Sequence, residues 1–295
     1  MKKIPPLVMV LLCAMPGRAQ QLAVSLTADR DSLVVGEPVI VYATVTNTGS
    51  QALTVQTLFG PEYEFFAYAI RMPDGTMKKF IPLVIKEGGT RTPPVQPGGS
   101  VSGGARIYFG SDGYAFPKAG SYQITCTYGS ATSPPLTLTF RDPHSLLEVK
   151  FANAMLKHGE VGMVMMMEGG DELTDGMQRL EEIAAGYPGT SYAGVAAYVL
   201  GRTYSTAAMN FVSKKPRGPD YEKANRYLEK AKNTDAGAYY IRKIYSTLAD
   251  NQVKLKNSEA AARARSDLQR RLNELGRPGK IMLEEHNRTL TPASR

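Results

Sequence analysis

The residues that most often carry catalysis or bind metals are few in this chain of 295 residues. Its three histidines are His144, His158 and His286, and neither of the first two has a second ligand four residues further on, as helical zinc sites require. Phosphate-cradling loops and dinucleotide fingerprints are absent from the sequence. We therefore predict no metal site, no cofactor and no enzyme activity.

Other arrangements that could do chemistry are equally weak. The glycine-bounded segment 189–194 is one residue too long for the nucleophile elbow of hydrolases, and no strand pattern precedes it. The acidic pairs at 181–182 and 284–285 are adjacent in sequence, so their side chains diverge on a helix. A hydrolase would need residues far apart in sequence to converge in a deep pocket that contains carboxylates with perturbed pKa values.

The N-terminus predicts export from the cytoplasm. Lys2 and Lys3 precede a short apolar segment, and Gly17 and Ala19 place small residues where signal peptidase cleaves. We predict a signal peptide over residues 1–19 and a periplasmic or extracellular mature protein without a transmembrane segment. A lipoprotein anchored through Cys13 is the alternative, although the residues before this cysteine lack the small side chain usual there.

The charge of the mature chain argues against nucleic-acid binding. Loss of residues 1–19 removes three of the 35 basic residues and none of the 27 acidic ones, which lowers the formal net charge from +8 to +5. Basic residues gather in a loop, 214–217, and on a late helix, 263–271, without aromatic residues between them. We interpret both as solvated surface, with contact to anionic envelope polymer or lipid as the alternative.

Cys126 is the cysteine that remains after signal cleavage, so it has no partner for an intramolecular disulfide. It has the same strand parity as Tyr122 and Ile124, and residues two apart share one face of a strand. We therefore predict a buried, unreactive thiol.

The predicted secondary structure, which must position any functional site, changes from strands to helices near Asp142. Before this residue, short alternating strands are separated by Gly/Pro turns; after it, amphipathic helices follow one another. The sequence predicts a multidomain β + α protein. Its parts are an antiparallel β-sandwich over 21–142, an α-helical hairpin array over 143–276 and a C-terminal tail over 277–295.

The N-terminal half carries its clearest strand at residues 39–46. There Val39, Val41, Ala43 and Val45 alternate with more polar residues, which predicts one buried and one solvated face. The N-terminal half resembles the immunoglobulin-like domains of bacterial envelope and secreted proteins. The resemblance is carried by this strand, the Gly36-Glu37-Pro38 turn before it, the turn at 47–49 and the segment 116–124. The resemblance implies a sandwich of seven to nine strands, with Tyr122 closing a corner near the penultimate strand.

Two segments of this half are candidate binding surfaces. The aromatic segment 63–68 contains Tyr63, Phe66 and Tyr68, and alternation buries either Phe65 with Ala67 or Phe66 with Tyr68. We predict that one set is core and the other a surface patch. The loop 86–99, rich in proline and glycine, is the second candidate, or else a tolerated insertion.

The C-terminal half begins with a predicted helix over 143–157, capped by Asp142 and facing inward with Leu147, Phe151 and Ala154. The methionine-rich segment 162–167 predicts a short buried helix, because methionine fills irregular core gaps. Two further helices are predicted near 238–255 and 258–275, followed by Gly276 and Pro278 as stop signals.

Small and aromatic residues recur at helical-hairpin spacing in the middle of this half. Ala197, Leu200, Gly201 and Tyr204 are followed by a second stripe at 221, 224, 228 and 231. These stripes resemble the tetratricopeptide repeat, and residues 187–193 resemble the inter-repeat turn of bacterial outer-membrane assembly and Tol-Pal accessory proteins. The resemblance implies stacked helix pairs with a concave groove that binds a protein or peptide. The connection over 205–220 is about 11 residues longer than the family pattern.

We predict from these features an exported, non-enzymatic adaptor or scaffold of the bacterial cell envelope. A partner segment would lie in the helical groove, lined by Tyr198, Arg202 and Tyr227. One alternative is a protein that binds envelope glycan or polymer through exposed aromatic residues of the sandwich. Another is a sandwich-type protease inhibitor that presents the loop 86–99.

Overall fold

The computed structural model of the chain describes residues 21–89, 92–187, 189–210 and 212–290, so the predicted signal peptide and Cys13 lie outside the described residues. All but two of the strands precede the α-helices along the chain, which confirms the mixed β and α architecture. The strands are β1 (Leu22–Ala28), β2 (Ser32–Val34), β3 (Ile40–Asn47), β4 (Leu53–Thr54), β5 (Ala67–Arg71), β6 (Met77–Lys79), β7 (Pro94–Val95), β8 (Ser100–Arg106), β9 (Phe109–Gly110), β10 (Gly113–Tyr114), β11 (Gly120–Tyr128), β12 (Ala131–Thr132), β13 (Leu136–Arg141), β14 (Ala208–Met209) and β15 (Pro216–Arg217). The helices are α1 (Leu146–Lys157), α2 (Gly159–Met167), α3 (Thr174–Gly186), α4 (Ser191–Tyr204), α5 (Tyr221–Lys232), α6 (Gly237–Lys254), α7 (Ser258–Glu274) and α8 (Gly276–Leu290).

Two sheets form most of the N-terminal half. The smaller has the order β1-β3-β8 and is antiparallel throughout. The larger has the order β2-β13-β11-β5-β6, with β2 parallel to β13 and the other neighbours antiparallel. Buried side chains of both sheets and of the helices belong to one continuous hydrophobic cluster. The two halves of the chain therefore share a core.

Strand β3 is buried on both faces, although its alternation predicted a solvated one. Tyr42 is buried as fully as its apolar neighbours Val41 and Ala43, and Thr44 is buried as well. The second face is covered because helices α6 and α8 pack against the smaller sheet, with Tyr239 and Met282 touching β8 at Gly104. Periodicity identifies a strand, but a later helix can bury its polar face as well.

Glycines in β8 permit this packing from both sides. A Cβ on Gly103 would collide with the ring of Phe59, and a Cβ on Gly104 would come within 2.8 Å of the ring of Tyr239. Neighbouring residues in a strand point to opposite faces, so the pair makes room for one aromatic ring in the sheet core and another from a helix.

Several N-terminal predictions are confirmed. Cys126 is fully buried, and burial raises the pKa of its thiol to about 12. Tyr122 closes the predicted corner, because its hydroxyl donates a 2.8 Å hydrogen bond to the carbonyl of Lys118. The ring of Tyr122 packs edge-on against Phe116 and Phe140.

Helix α1 begins later than predicted. Its N-cap is Ser145, whose hydroxyl accepts a hydrogen bond from the amide of Glu148, while the Glu148 carboxylate accepts from the amide of Ser145. This capping box satisfies more free amides than Asp142 could. The predicted inward face is confirmed at Phe151 and is wrong at Leu147: Ala152 and Met155 are buried with Phe151, Ala154 is partly buried, and Leu147 is half exposed.

The remaining helices pack against their neighbours in chain order, most extensively α4 against α5 and α6 against α7. Helix α2 buries Val161, Val164 and Met165, and Gly162 lies directly against the ring of Phe109. Of the other methionines, two are partly buried and Met167 is 50% exposed, so the predicted buried helix is confirmed in part. The long connection between α4 and α5 contains the hairpin β14–β15.

The predicted C-terminal tail is wrong for residues 277–290, because these form helix α8. Gly276 has φ 61°, which ends the preceding helix as expected, but Pro278 then lies in the first turn of α8. Proline is tolerated there, since first-turn amides have no intrahelical partner. Ile281 and Met282 are buried, so α8 is part of the core.

Across the described ranges, no helix has both the length and the apolar character needed to cross a membrane.

Candidate partner-binding surfaces

In the aromatic segment 63–68 one alternate set is buried and the other exposed, as predicted, but the candidate binding residues Phe66 and Tyr68 belong to the buried set. Phe66 and Tyr68 are buried: the ring of Phe66 stacks between Phe59 and Tyr128, and the Tyr68 hydroxyl donates to the carbonyl of Phe59. Tyr63 is half-buried in a short 3-10 turn, and Phe65 is 40% exposed. Phe66 and Tyr68 therefore cannot contact a partner, because the strand alternation turns this pair into the core.

The predicted groove is also filled, by the chain itself. Tyr198 on α4 is completely buried and its ring lies 5.6 Å from that of Tyr240 on α6. The hydroxyl of Tyr240 in turn lies 3.1 Å from that of Tyr108, which follows β8. The inner faces of α4 and α6 are therefore occupied by the sheet half, and Tyr198 is a core residue.

A buried group of charges fixes this contact; we call Arg106, Glu168 and Lys243 the interface ion cluster. The guanidinium of Arg106 lies 3.0 Å and the ammonium of Lys243 lies 3.3 Å from the same Glu168 oxygen. Burial disfavours the Glu168 carboxylate, but the charges of Lys243 and Arg106 outweigh it and lower the pKa of this carboxyl to about 2. The cluster joins β8, α2 and α6.

We expect the stability of the protein to fall when acid neutralises Glu168. The pKa of Glu168 is lower in the folded than in the unfolded chain, so its stabilising contribution is present above about pH 4.5 and is lost as the pH falls towards 2. The shift corresponds to about 3 kcal/mol. Urea denaturation between pH 6 and 2.5 measures this loss, and in Glu168→Gln the slope over that range should be smaller. An equal slope in both proteins would contradict the assignment.

The sheet half also supplies a cap to helix α6 and a side-chain contact to α4. The carboxylate of Asp29, just after β1, accepts hydrogen bonds from the hydroxyl of Tyr42 and from the amide of Ala238 in the first turn of α6. Tyr42 in turn accepts from the amide of Tyr239. These contacts satisfy free amides of the first turn of α6, where a negative charge is favourable. At α4, the hydroxyl of Ser191 donates to the carboxylate of Glu37 at 2.8 Å, which ties this helix to the turn before β3.

A partly exposed group of rings and charges lies on α3, α4 and α5. We name Tyr204, Tyr227, Lys223 and Glu181 the outer aromatic surface. The rings of Tyr204 and Tyr227 stack at 5.9 Å, with the Lys223 ammonium 3.8 Å from the centroid of Tyr204. Tyr227 donates to Glu181 at 3.1 Å. Burial and the neighbouring Glu181 charge raise the pKa of Tyr227 to about 12, so it remains a neutral donor.

The predicted groove residues are thus separated. Tyr198 is in the core and Tyr227 belongs to the outer aromatic surface. Arg202 is partly exposed on α4, two residues before Tyr204, so it lies about 200° around the helix from this ring. The structure does not bring Arg202 and Tyr227 into one surface.

Sequence reasoning missed the role of the hairpin between α4 and α5. Arg217, interpreted as solvated surface, makes two hydrogen bonds to Asp171 at 2.6 and 3.1 Å and donates to the carbonyls of Thr203 and Thr206 at the end of α4. This guanidinium therefore holds the long connection against α4. In the sequence this residue is a single arginine between a proline and a glycine. That pattern does not indicate which carboxylate, far away in sequence, the arginine will bind.

The described residues contain no group of three or more histidine, cysteine or acidic side chains that could hold a metal ion. A small cleft of about 30 Å³ lies between the sheet half and the starts of α4 and α6, lined by Asp29, Arg30 and Ser191 among others. Asp29 is already engaged in capping α6, and the hydroxyl of Ser191 donates to Glu37.

Comparisons with known proteins identify no family. No protein-family model and no curated protein matches the chain. Among solved structures, an alkylpurine DNA glycosylase from Pseudomonas fluorescens, bound to DNA containing an abasic site analog, is 12% identical with a TM-score of 0.28, over 41% of this chain and 30% of its own. A β-glucosidase from Erythrobacter marinus is 18% identical with a TM-score of 0.27, over 41% and 15%.

A third solved structure, the CARDB domain of a Pyrococcus furiosus protein in complex with di-metal ions, is 11% identical with a TM-score of 0.24, over 41% of this chain and 87% of that domain. This chain spans less than a third of the glycosylase and of the glucosidase. Likenesses of this size carry no argument about the fold or the function.

Proposed function

We propose that this chain is an exported, non-enzymatic protein-binding adaptor of the bacterial cell envelope, in which an immunoglobulin-like sandwich and tetratricopeptide-like helix pairs act as one rigid body. The observation that carries the proposal is the filled groove: Tyr108 and the interface ion cluster bind the inner helix faces to the sheet half. A body of this kind presents its outer surfaces to partners.

The finer fold assignment rests on local features. The hydrogen bond from Tyr122 to Lys118 has the geometry of a tyrosine corner, a feature of immunoglobulin-like sandwiches. Helices α4 and α5 place Gly201 against Leu228 and Ala224, as small residues in a tight helical hairpin do. Export is supported by the pattern of residues 1–19 in the sequence.

The outer aromatic surface is the binding surface that we favour on the helices. Tyrosine combines a large contact area with a hydrogen-bonding group, and both tyrosine and arginine are enriched at the energetic centres of protein interfaces. Tyr204 and Tyr227 are partly exposed; the Lys223 ammonium over the ring of Tyr204 and the Glu181 carboxylate bonded to Tyr227 fix their orientation. A preorganised surface loses less conformational entropy on binding.

A photo-crosslinking experiment tests this function. The full mature chain carries a photoreactive amino acid in place of the exposed Arg226 on α5, or, as a matched control, in place of Glu259 on α7. In native envelope we expect a discrete protein adduct from position 226 and none from position 259. The charge reversal Lys223→Glu should remove the adduct without lowering the melting temperature. Adducts of equal yield from both positions, or none from either, would overturn the proposal.

The glycan-binding alternative requires exposed aromatic side chains on the sandwich, and Phe66 and Tyr68 are buried. For the inhibitor alternative, the described parts of the loop 86–99 are held down: the amide of Lys86 donates to the carbonyl of Glu62, and β7 pairs with β4. We therefore retain the adaptor.

A further inference from the structure

The exposed edge of the larger sheet is formed by β6, at the opposite side of the sheet from β2. All three residues of β6 are exposed, and among the described residues β5 is its one strand neighbour. We call Met77–Lys79 the sheet edge. A strand in this position offers unpaired backbone groups to another extended chain.

The hydrogen-bond pattern shows which groups are offered. The amide of Met72 donates to Thr76 and the amide of Phe80 donates to Tyr68, so these two pairs are hydrogen-bonded pairs of the β5–β6 ladder. In an antiparallel ladder such pairs alternate with non-hydrogen-bonded ones. Met77, opposite Arg71, and Lys79, opposite Ala69, therefore direct their amides and carbonyls away from β5.

The chain already uses the next position along this edge. Ile81 has the same parity as Met77 and Lys79, and its carbonyl accepts a 3.0 Å hydrogen bond from the amide of Ser111, beside an isolated bridge between Pro82 and Gly110. After Gly110 the chain turns back into β10. The segment that could have continued along β6 thus turns away and leaves the outward groups of Met77 and Lys79 open.

A cleft of about 60 Å³ lies beside the open positions. Its apolar lining includes Phe80, Met72 and Tyr114, and its charged lining is Lys78 and Lys79 against Asp112. Four large apolar side chains on or just after this edge, Met77, Ile81, Val84 and Ile85, are between 46% and 52% exposed. The edge therefore combines open backbone groups, exposed apolar side chains and an excess of positive charge.

We propose that an extended acidic segment of a partner protein adds to β6 as a new edge strand. Its backbone pairs with the outward groups of Met77 and Lys79, as in other strand-addition complexes. A small aliphatic side chain enters the cleft beside Phe80, and carboxylates on the other face meet Lys79. Cross-strand pairs of opposite charge stabilise such an arrangement.

Charge complementarity selects this occupant over a second copy of the chain. Two copies of the sheet edge would bring Lys78 and Lys79 against the same lysines, and like charges directly opposite one another destabilise a strand pair. No ion pair joins Lys78 or Lys79 to a carboxylate within the described part of the chain, so both charges remain available to a partner.

The probe is a fluorescein-labelled heptapeptide of alternating glutamate and valine, titrated into the full mature chain by fluorescence anisotropy. A lysine–valine heptapeptide is the matched control ligand. We expect saturable binding of the glutamate peptide alone, weakening as salt is added. The double reversal Lys78→Glu with Lys79→Glu should weaken this binding by about tenfold. The remote control Lys254→Glu, at the end of α6, should leave it unchanged.

Hydrogen exchange locates the bound peptide. The outward amides of Met77 and Lys79 should become protected, whereas the amide of Ile70, which already lies within the ladder, should not change. Met77→Pro removes one outward amide without removing a β5–β6 hydrogen bond, and we expect about fivefold weaker binding with an unchanged melting temperature.

Two binding results would overturn the proposal: no saturable binding of the glutamate peptide, or equal binding of the lysine peptide. Two further results would also overturn it: protection of amides away from the sheet edge, or the formation, detected by sedimentation, of a dimer of the chain through this edge. The crosslinks expected at the outer aromatic surface do not depend on any of these results.

Discussion

We expect Glu168→Gln to lower the free energy of unfolding by about 3–5 kcal/mol, the cost typical of breaking a buried ion pair from one side. The substitution keeps the volume of the side chain but leaves the guanidinium of Arg106 and the ammonium of Lys243 without their common anion. Arg106 is almost completely buried, so water cannot replace the lost carboxylate. Urea denaturation at neutral pH measures the effect.

A matched control separates this effect from the loss of any ion pair. Glu259→Gln removes the partner of Arg263 on the exposed face of α7, and we expect a change within about 0.5 kcal/mol. Replacing the whole cluster by apolar residues (Arg106→Met, Glu168→Leu and Lys243→Met) should recover most of the stability. If the triple variant is no more stable than Glu168→Gln, the stability lost in Glu168→Gln is not caused by the buried positive charges left without a partner.

The second large effect is expected at helix α8. Met282→Ala should cost about 2–5 kcal/mol, since the side chain is fully buried and touches β8 at Gly104. Helix α8 also covers backbone groups at the edge of β8. Arg288 donates to the carbonyl of Ser102, and Glu285 accepts from the amide of Gly104 at 3.3 Å. When α8 loosens, both contacts are lost. We therefore expect concentration-dependent association of the variant.

Thermal unfolding and light scattering over a range of protein concentrations test both parts of this expectation. Lys280→Ala, an exposed position on the same helix, is the control and should change neither quantity. If Met282→Ala unfolds at a lower temperature but stays monomeric at all concentrations, α8 contributes packing without protecting the edge of β8.

Local patterns in the sequence were sufficient to predict the element types. The alternation around Val41 predicted β3, the turn residues placed most neighbouring strands, and the stripes around Leu200 and Leu228 predicted the α4–α5 hairpin. The corner at Tyr122 and the burial of Cys126 followed from strand parity. All of these depend on residues close together in sequence.

What could not be predicted depends on contacts between distant residues. Tyr198 has the type and spacing of a groove residue, but whether a groove is open depends on Tyr108 and Tyr240, far away on both sides in sequence. The partners of Arg106 likewise come from α2 and, through Glu168, from α6. Periodicity gives the face on which a residue lies and leaves open what packs against that face.

The candidate surfaces show the same limit. Tyr227 was identified from the sequence, but its stacking partner Tyr204 was assigned to a core stripe and Arg217 to a solvated loop. The sheet edge gave no signal at all, because a strand becomes an edge only through the order in which other strands pair.

The cap that Asp29 provides for α6 bears on the order in which the chain can acquire its structure. The acceptor for the amide of Ala238 comes from a residue synthesised some 200 positions earlier. The N-terminal half can thus act as a template on which the later helices complete their first turns, whereas a fragment beginning after Asp142 would lack it. Circular permutants that move β1 behind α8 would reverse that order while keeping every contact.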